Sequence, residues 1–126
     1  MYPDRSNRFC RACGHPTEQR LPDDGDDKLR SVCTACATVH YLNPLNVVGT
    51  IPVWTDPVTG TEKILLCRRN IEPRLDKWTL PAGFMEMGES TETGAARETI
   101  EEAGAEFEMG ELFSLISVLH VGPVQA

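Results

Sequence analysis

The chain has 126 residues, 12 basic and 19 acidic, for a net charge of −7. That length supports one domain, or two small ones, with modest cores. The acidic balance argues against a nucleic-acid surface, which needs a basic stripe, and would repel a phosphorylated substrate unless cations bridged the two. No apolar run reaches the roughly 18 residues of a membrane span, and MYPDRSNRFC has no apolar core of a signal peptide. The expected setting is cytoplasmic and reducing, with no membrane partner.

Four of the five cysteines fall before Tyr41, as Cys10-Arg-Ala-Cys13 and Cys33-Thr-Ala-Cys36, with nineteen residues between the pairs. This C-x2-C…C-x2-C spacing suits a four-thiolate Zn²⁺ site, in which two tight turns each supply a ligand pair. Two disulfides fit poorly without a secretion signal, and a redox CxxC belongs at the start of a helix in a larger α/β domain. Four thiolates leave no open position, so the zinc is expected to be structural. A segment this poor in large apolar residues needs metal binding to fold. His15 and His40 are weaker ligand candidates. Gln19 to Leu21 and Leu29 to Val32 suit two hairpin strands, with Pro22-Asp23-Asp24-Gly25-Asp26-Asp27 as the turn between them. The reading is a zinc ribbon over residues 1–41.

Leu42-Asn43-Pro44-Leu45 is the linker. Val47 to Trp54 reads as one strand, with Pro52 marking an edge or bulge. Asp56-Pro57-Val58-Thr59-Gly60 is a turn, and Lys63 to Arg68 (KILLCR) a second strand, apolar enough to be buried. Cys67 within it is a lone thiol whose default role is that of a small buried hydrophobe. Arg68, Arg69 and Arg74 flank an irregular stretch and either line a substrate cleft or are solvated. Trp78 and Phe84 either stack a base or pack on the core.

Ser90 to Ala103 reads as a helix capped by Ser90 or Thr91 and ended by Gly104 in the left-handed conformation. Glu98, Glu101 and Glu102 share one face. Ala96, Thr99, Ile100 and Ala103 form the opposite face, expected to dock on the core. Glu101 and Glu102 sit in the last turn, where the helix dipole disfavours them, and Glu98 repels Glu102 by roughly 0.2–0.5 kcal/mol. Stability gives no reason to gather carboxylates there, whereas a hard divalent cation does. Phe107 to Val121 then offers apolar runs for a further strand or two.

The run from Gly83 to Ala105 (Gly83, Glu89, Arg97-Glu98, Glu101-Glu102, Gly104 at their spacings) resembles the Nudix box, with Thr99 and Ala105 where a larger aliphatic is usual. The resemblance extends through FCRACGHPT, LNPLNVVGTIP, LLCRRNIEPR and WTLPAGFMEMGES. It implies an α+β chain: the N-terminal zinc ribbon followed by a Nudix-type α/β/α sandwich over 46–126, incomplete at its C-terminal end. By the same resemblance Glu98 and Glu102 are the principal ligands of catalytic Mg²⁺ or Mn²⁺, and Glu101 is auxiliary. Arg97 orients the cluster, Glu89 supports it, and a carbonyl of Ala82 or Gly83 completes the shell.

The implied activity is metal-dependent pyrophosphate hydrolysis in a dinucleotide or nucleotide-sugar-like small molecule, with FAD or ADP-ribose giving AMP. The alternatives are NADH pyrophosphatase-like activity, or an idle ligand-sensing or protein-binding module, with a ribbon-built homodimer left open. FSLISVLHVGPVQA lacks the Ser-Gln-Pro-Trp-Pro-Phe-Pro-like run of the NADH branch, and Pro123 is an ambiguous marker of the ADP-ribose branch.

Overall fold

The computed structural model describes residues 7–72 and 74–118. It divides into two compact units, Met1–Pro44 and Leu45–Ala126. Pro123, and the part of the C-terminal strand expectation beyond Val118, lie outside the described residues. Among those described, no helix is long and apolar enough to cross a membrane.

In the first unit, β1 (Thr17–Arg20), β2 (Arg30–Cys33) and β3 (Val39–His40) form an antiparallel sheet in that order. Thr17 pairs with Cys33 and Arg20 with Arg30, so the hairpin begins earlier and ends later than its apolar residues suggest. The second knuckle turns the chain back to add β3, which the sequence reading lacks. The loop between β1 and β2 is built from side-chain-to-backbone bonds: Asp24 accepts from the Asp26 N–H, and Asp26 from that of Lys28. Arg30 binds Asp26 at 2.7 Å and lies over the Tyr41 ring, while the Tyr41 hydroxyl donates to Asp24. The small core holds Val32, at 1 % exposure, with Cys10, Ser31, Cys33 and His40.

In the second unit the strand expected over Val47 to Trp54 is two strands, β4 (Val47–Gly49) and β5 (Val53–Thr55). Pro52 lacks an N–H and interrupts the ladder, though its carbonyl accepts from Leu65. The strand expected over Lys63 to Arg68 is likewise divided, into β6 (Glu62–Ile64) and β7 (Cys67–Arg68). β5 and β6 form a hairpin closed by the expected turn, where Asp56 accepts from Val58 and Thr59 and Gly60 takes φ 70°. β8 (Trp78–Thr79) pairs with β7, and β9 (Ala82–Phe84) pairs with β4.

The expected burial of KILLCR is not realised: Ile64, Leu65 and Leu66 are exposed and Cys67 is half-buried. Trp78 and Phe84 are exposed as well, so neither packs into a core. No strand forms over 107–118, where Leu112, Phe113, Leu115, Ile116 and Val118 are exposed. A strand is defined by a pairing neighbour, and none of the described strands pairs with this segment.

The helix α1 (Thr91–Ala103) begins and ends as its local sequence dictates. Ser90 accepts from the Thr93 N–H, Thr93 accepts from the Ser90 N–H, and Gly104 takes φ 58° with its N–H on the Ile100 carbonyl. The docked face differs from expectation. Gly94, Ala95 and Thr99 are buried, whereas Ile100 is exposed and Ala96 and Ala103 are half-buried. Helix α1 packs on β4 and β9. Two glycines explain the rotation: a Cβ on Gly94 would meet Val48 and Glu89, and one on Gly83 would overlap the Glu98 carboxylate. The missing side chains leave room for polar groups on the packed side, and the acidic face turns toward β9.

Candidate functional site

Two clusters of side chains carry chemistry, one in each unit. In the first, Cys10, Cys13, Cys33 and Cys36 place their sulfurs within 4.8 Å of one another. Separations of 3.4–3.7 Å join Cys13 to Cys33 and Cys36, and Cys10 to Cys36. A tetrahedron around Zn²⁺ with bonds of about 2.3 Å has edges of about 3.8 Å, so the spacing fits the ion. All the cysteines are free of disulfide bonds.

The two knuckles repeat one design. The Gly14 N–H binds the Cys10 carbonyl and the Ala37 N–H the Cys33 carbonyl. The Ala12 N–H reaches the Cys10 sulfur, and those of Ala35 and Cys36 reach the Cys33 sulfur, each at 3.4 Å. Gly14 (φ 77°) and Ala37 (φ 57°) are both left-handed, so the alanine adopts the backbone that glycine takes freely.

These contacts poise the thiols for metal. Thr38, through its hydroxyl and its backbone, holds the Cys36 thiol down to about 6. The Cys36 N–H, helped by that of Ala35, lowers Cys33 against the opposing effect of burial. For Cys13 the His15 backbone acts downward, yet shared hydrogen bonds with Cys33 and Cys36 push the thiol up to about 12. Four sulfurs this close cannot all be anionic without a cation among them, and Zn²⁺ binding displaces such protons. His15 and His40 are not in the ligand group.

In the second unit Arg97 is the hub of the acidic cluster. Its Nε and Nη2 bind the Glu89 carboxylate at 2.5 and 3.0 Å. Nη1 donates to Glu98 at 2.7 Å and to Glu101 at 3.2 Å, and Nη2 also donates to the Phe84 carbonyl at 3.1 Å. The guanidinium, together with the Glu86 N–H, depresses the Glu89 carboxyl to about 2, and Glu89 and Glu98 raise Arg97 further above its usual range. Glu102 stands apart from the hub and accepts from the Ala82 N–H at 3.2 Å.

The β4–β9 register explains these backbone contacts. The Thr50 N–H bonds the Pro81 carbonyl and the Met85 N–H the Asn46 carbonyl, with Val48 opposite Gly83 between them. Alternate residues of an antiparallel strand bond the same neighbour. Pro81, Gly83 and Met85 therefore face β4, while the backbone groups of Ala82 and Phe84 face α1, where Glu102 and Arg97 meet them.

Beside the cluster lies a hollow of about 330 Å³ lined by Arg68, Arg69, Thr79 and Ala82 with Glu101 and Glu102. Cys67 also borders it, its thiol raised by burial and by the Glu102 charge. Arg74 is not on this wall; it sits in the neighbouring loop with φ 65°. The three clustered glutamates do not converge as the four thiols do. Mg²⁺ keeps several waters and uses only one or two carboxylates with substrate phosphates, so an open, partly occupied carboxylate face fits it better than a closed cage would.

A ribbon of four convergent thiols joined in sequence to an arginine-centred glutamate helix matches two family models. The Nudix N-terminal zinc-ribbon model covers residues 8–42 and the NUDIX domain model covers residues 50–124. The chain belongs to the Nudix family. It is similar to the crystal structure of a NUDIX hydrolase from Nitrosomonas europaea, at 48% identity and a TM-score of 0.74, covering 85% of this chain and 57% of that one. Among curated proteins it is 34% identical over 101 residues to the NAD-capped RNA hydrolase NudC of Edwardsiella ictaluri. It is 33% identical over 104 residues to that of Haemophilus influenzae. Each alignment takes 79% of this chain, which spans only 34% of the length of these curated relatives.

Proposed function

We propose that this chain hydrolyses the pyrophosphate bond of a dinucleotide-like small molecule with an adenosine diphosphate half, releasing AMP, and that FAD and ADP-ribose are its first candidates. The observation that carries this reading is the shared hollow, which Arg68 and Arg69 line together with Glu101 and Glu102. A pyrophosphate needs its negative oxygens neutralised before water can attack. Guanidinium groups and carboxylates able to hold metal, lining one hollow, meet both requirements.

Glu98 and Glu102 are proposed as the principal ligands for Mg²⁺ or Mn²⁺, with Glu101 auxiliary. Of the two carbonyls expected to join them, that of Ala82 is favoured, because the register turns Gly83 onto β4. When bound, the metal supplies charge neutralisation and an activated water. The protein's own part is positional. Glu89 anchors Arg97 from outside the cluster, and Arg97 holds Glu98 and Glu101 at fixed distances on α1. Arg68 and Arg69 receive the phosphates, and exposed Trp78, opposite Arg68 in the β7–β8 ladder, offers a face for a base or flavin.

The zinc is proposed to be structural, organising a ribbon domain over 1–41 that precedes the catalytic domain over 46–126, in a cytoplasmic protein. A second reading, hydrolysis of NAD-type pyrophosphates, is favoured by the similarity to NAD-capped RNA hydrolases. FAD, ADP-ribose, NADH, NAD-capped RNA and a nucleoside triphosphate, each with Mg²⁺ or Mn²⁺, separate these readings by product analysis. AMP from FAD or ADP-ribose supports the first; turnover confined to NADH or capped RNA replaces it with the second. No turnover of any overturns both hydrolytic readings for this chain.

A further inference from the structure

Thr99 occupies a helix position where a larger aliphatic residue is usual, yet it is fully buried, at 0% exposure. Its hydroxyl donates to the Ala95 carbonyl at 2.8 Å, within its own helix. A hydroxyl has one proton, so the 2.7 Å contact with the Thr50 hydroxyl is a bond in which Thr50 donates. The Thr50 N–H is itself on the Pro81 carbonyl at 3.1 Å. One residue thus grips the Pro81 turn with its backbone and α1 with its side chain. The residue after Pro81 gives its N–H to Glu102, and Glu98 and Glu102 flank Thr99 on the helix.

An aliphatic side chain at position 99 would fill the same space, but nondirectional packing lets a helix slide or rotate by fractions of an ångström. A hydroxyl pair is directional where packing is not, and on its Thr99 side, which is fully buried, an unpaired group is costly. Close backbone approach makes the register matter: a Cβ on Gly49 would overlap Ala82 and the Pro81 carbonyl. We infer that Thr50 and Thr99 are positioning residues that set the depth and height of α1 against the Pro81–Ala82 turn, and so hold Glu98 and Glu102 in register for a divalent cation. The inference rests on the reading of Glu98 and Glu102 as metal ligands.

Mn²⁺ binding followed by electron paramagnetic resonance on the full chain tests it without requiring turnover. Glu102→Gln serves as the control for the metal site itself. Thr99→Val keeps the shape and loses the hydroxyl; Thr99→Ser keeps the hydroxyl and loses a methyl. Thr99→Val is expected to weaken Mn²⁺ binding by about 10-fold, as loss of an outer-sphere partner does. Thr99→Ser is expected to retain wild-type affinity despite a lower melting temperature. Thr50→Val should reproduce Thr99→Val, and the double variant should be no worse than either single one. Where turnover is measured, kcat should fall in Thr99→Val while KM for the nucleotide holds. Unchanged Mn²⁺ affinity in Thr99→Val, or equal weakening in the valine and serine variants, overturns the positioning role while a deficient Glu102→Gln leaves the metal site standing. Wild-type binding by Glu102→Gln overturns the metal site, and the inference with it.

Discussion

The two units solve the problem of holding a cation in opposite ways. In the ribbon the four sulfurs already lie within 4.8 Å of one another, on turns whose N–H groups point at them. Around α1 the carboxylates do not converge: Arg97 holds Glu98 and Glu101 on the helix and Glu89 just before it, and a backbone N–H holds Glu102. A closed, convergent set suits an ion that stays. A dispersed set suits an ion that must share its shell with water and substrate. The difference shows that ligand type matters less than what each ligand is doing before the ion arrives.

The sharpest way to break this comparison is to remove the ribbon's metal. Chelation, or Cys33→Ser, is expected to unfold the first unit, since a structural zinc site contributes about 10–16 kcal/mol in zinc-finger peptides. Hydrogen exchange should show β1–β3 losing protection while α1 keeps its own; persistent protection of β1–β3 in the zinc-free protein would contradict the contrast.

Next in size is Glu102→Gln, expected to abolish hydrolysis with far-ultraviolet circular dichroism unchanged, because neutralising a carboxylate of the open set removes chemistry rather than fold. An unaltered rate refutes its assignment. Gly83→Ala attacks the same set sterically, forcing a methyl into the Glu98 carboxylate. Because that carboxylate is the far end of a flexible side chain it can swing aside, so turnover should fall while a denaturant titration changes little.

A smaller effect comes from acid. The Glu89 carboxyl is depressed from 4.5 to about 2 in the folded chain. Its contribution to stability is therefore complete above pH 4.5 and is lost as the pH falls through about 2, where the folded form also takes up the proton. Urea midpoints recorded across that window should fall with pH, and Glu89→Gln should flatten that component. Smallest is Ser90→Ala, which removes the helix cap and should lower stability by about 1 kcal/mol with the metal sites unaffected.

Features set by near neighbours in the chain were legible beforehand. The cysteine spacing gives the ribbon, and Ser90 and Gly104 give both ends of α1, because capping is decided within four residues. Arg97 and Glu89 were singled out by the resemblance to the Nudix box, and in the structure their side chains form an ion pair. The face on which α1 docks was not legible. Ile100 argues for one side by hydrophobicity, but Gly83 and Gly94 open the other, and the space left by an absent side chain is invisible until two elements meet. The strand breaks at Pro52 and Leu65–Leu66, the third ribbon strand and the exposure of KILLCR likewise depend on partners distant in sequence. Thr50 was missed altogether. A polar Thr99 at an aliphatic position hinted at a local polar contact, but its hydroxyl can be satisfied within the helix, so nothing in the sequence pointed to Thr50.

One consequence concerns β9. One of its edges is paired with β4, and the other presents the Ala82 N–H and the Phe84 carbonyl. A bare strand edge is a template on which another chain can add and aggregate. Here the Glu102 carboxylate and the Arg97 guanidinium sit on those two groups, so the side chains proposed for the metal site also cover the edge on which another strand could add. Truncating Arg97 or Glu102 to alanine, unlike Glu102→Gln, which keeps an acceptor for the Ala82 N–H, should bare this edge, and light scattering on the alanine variants checks it.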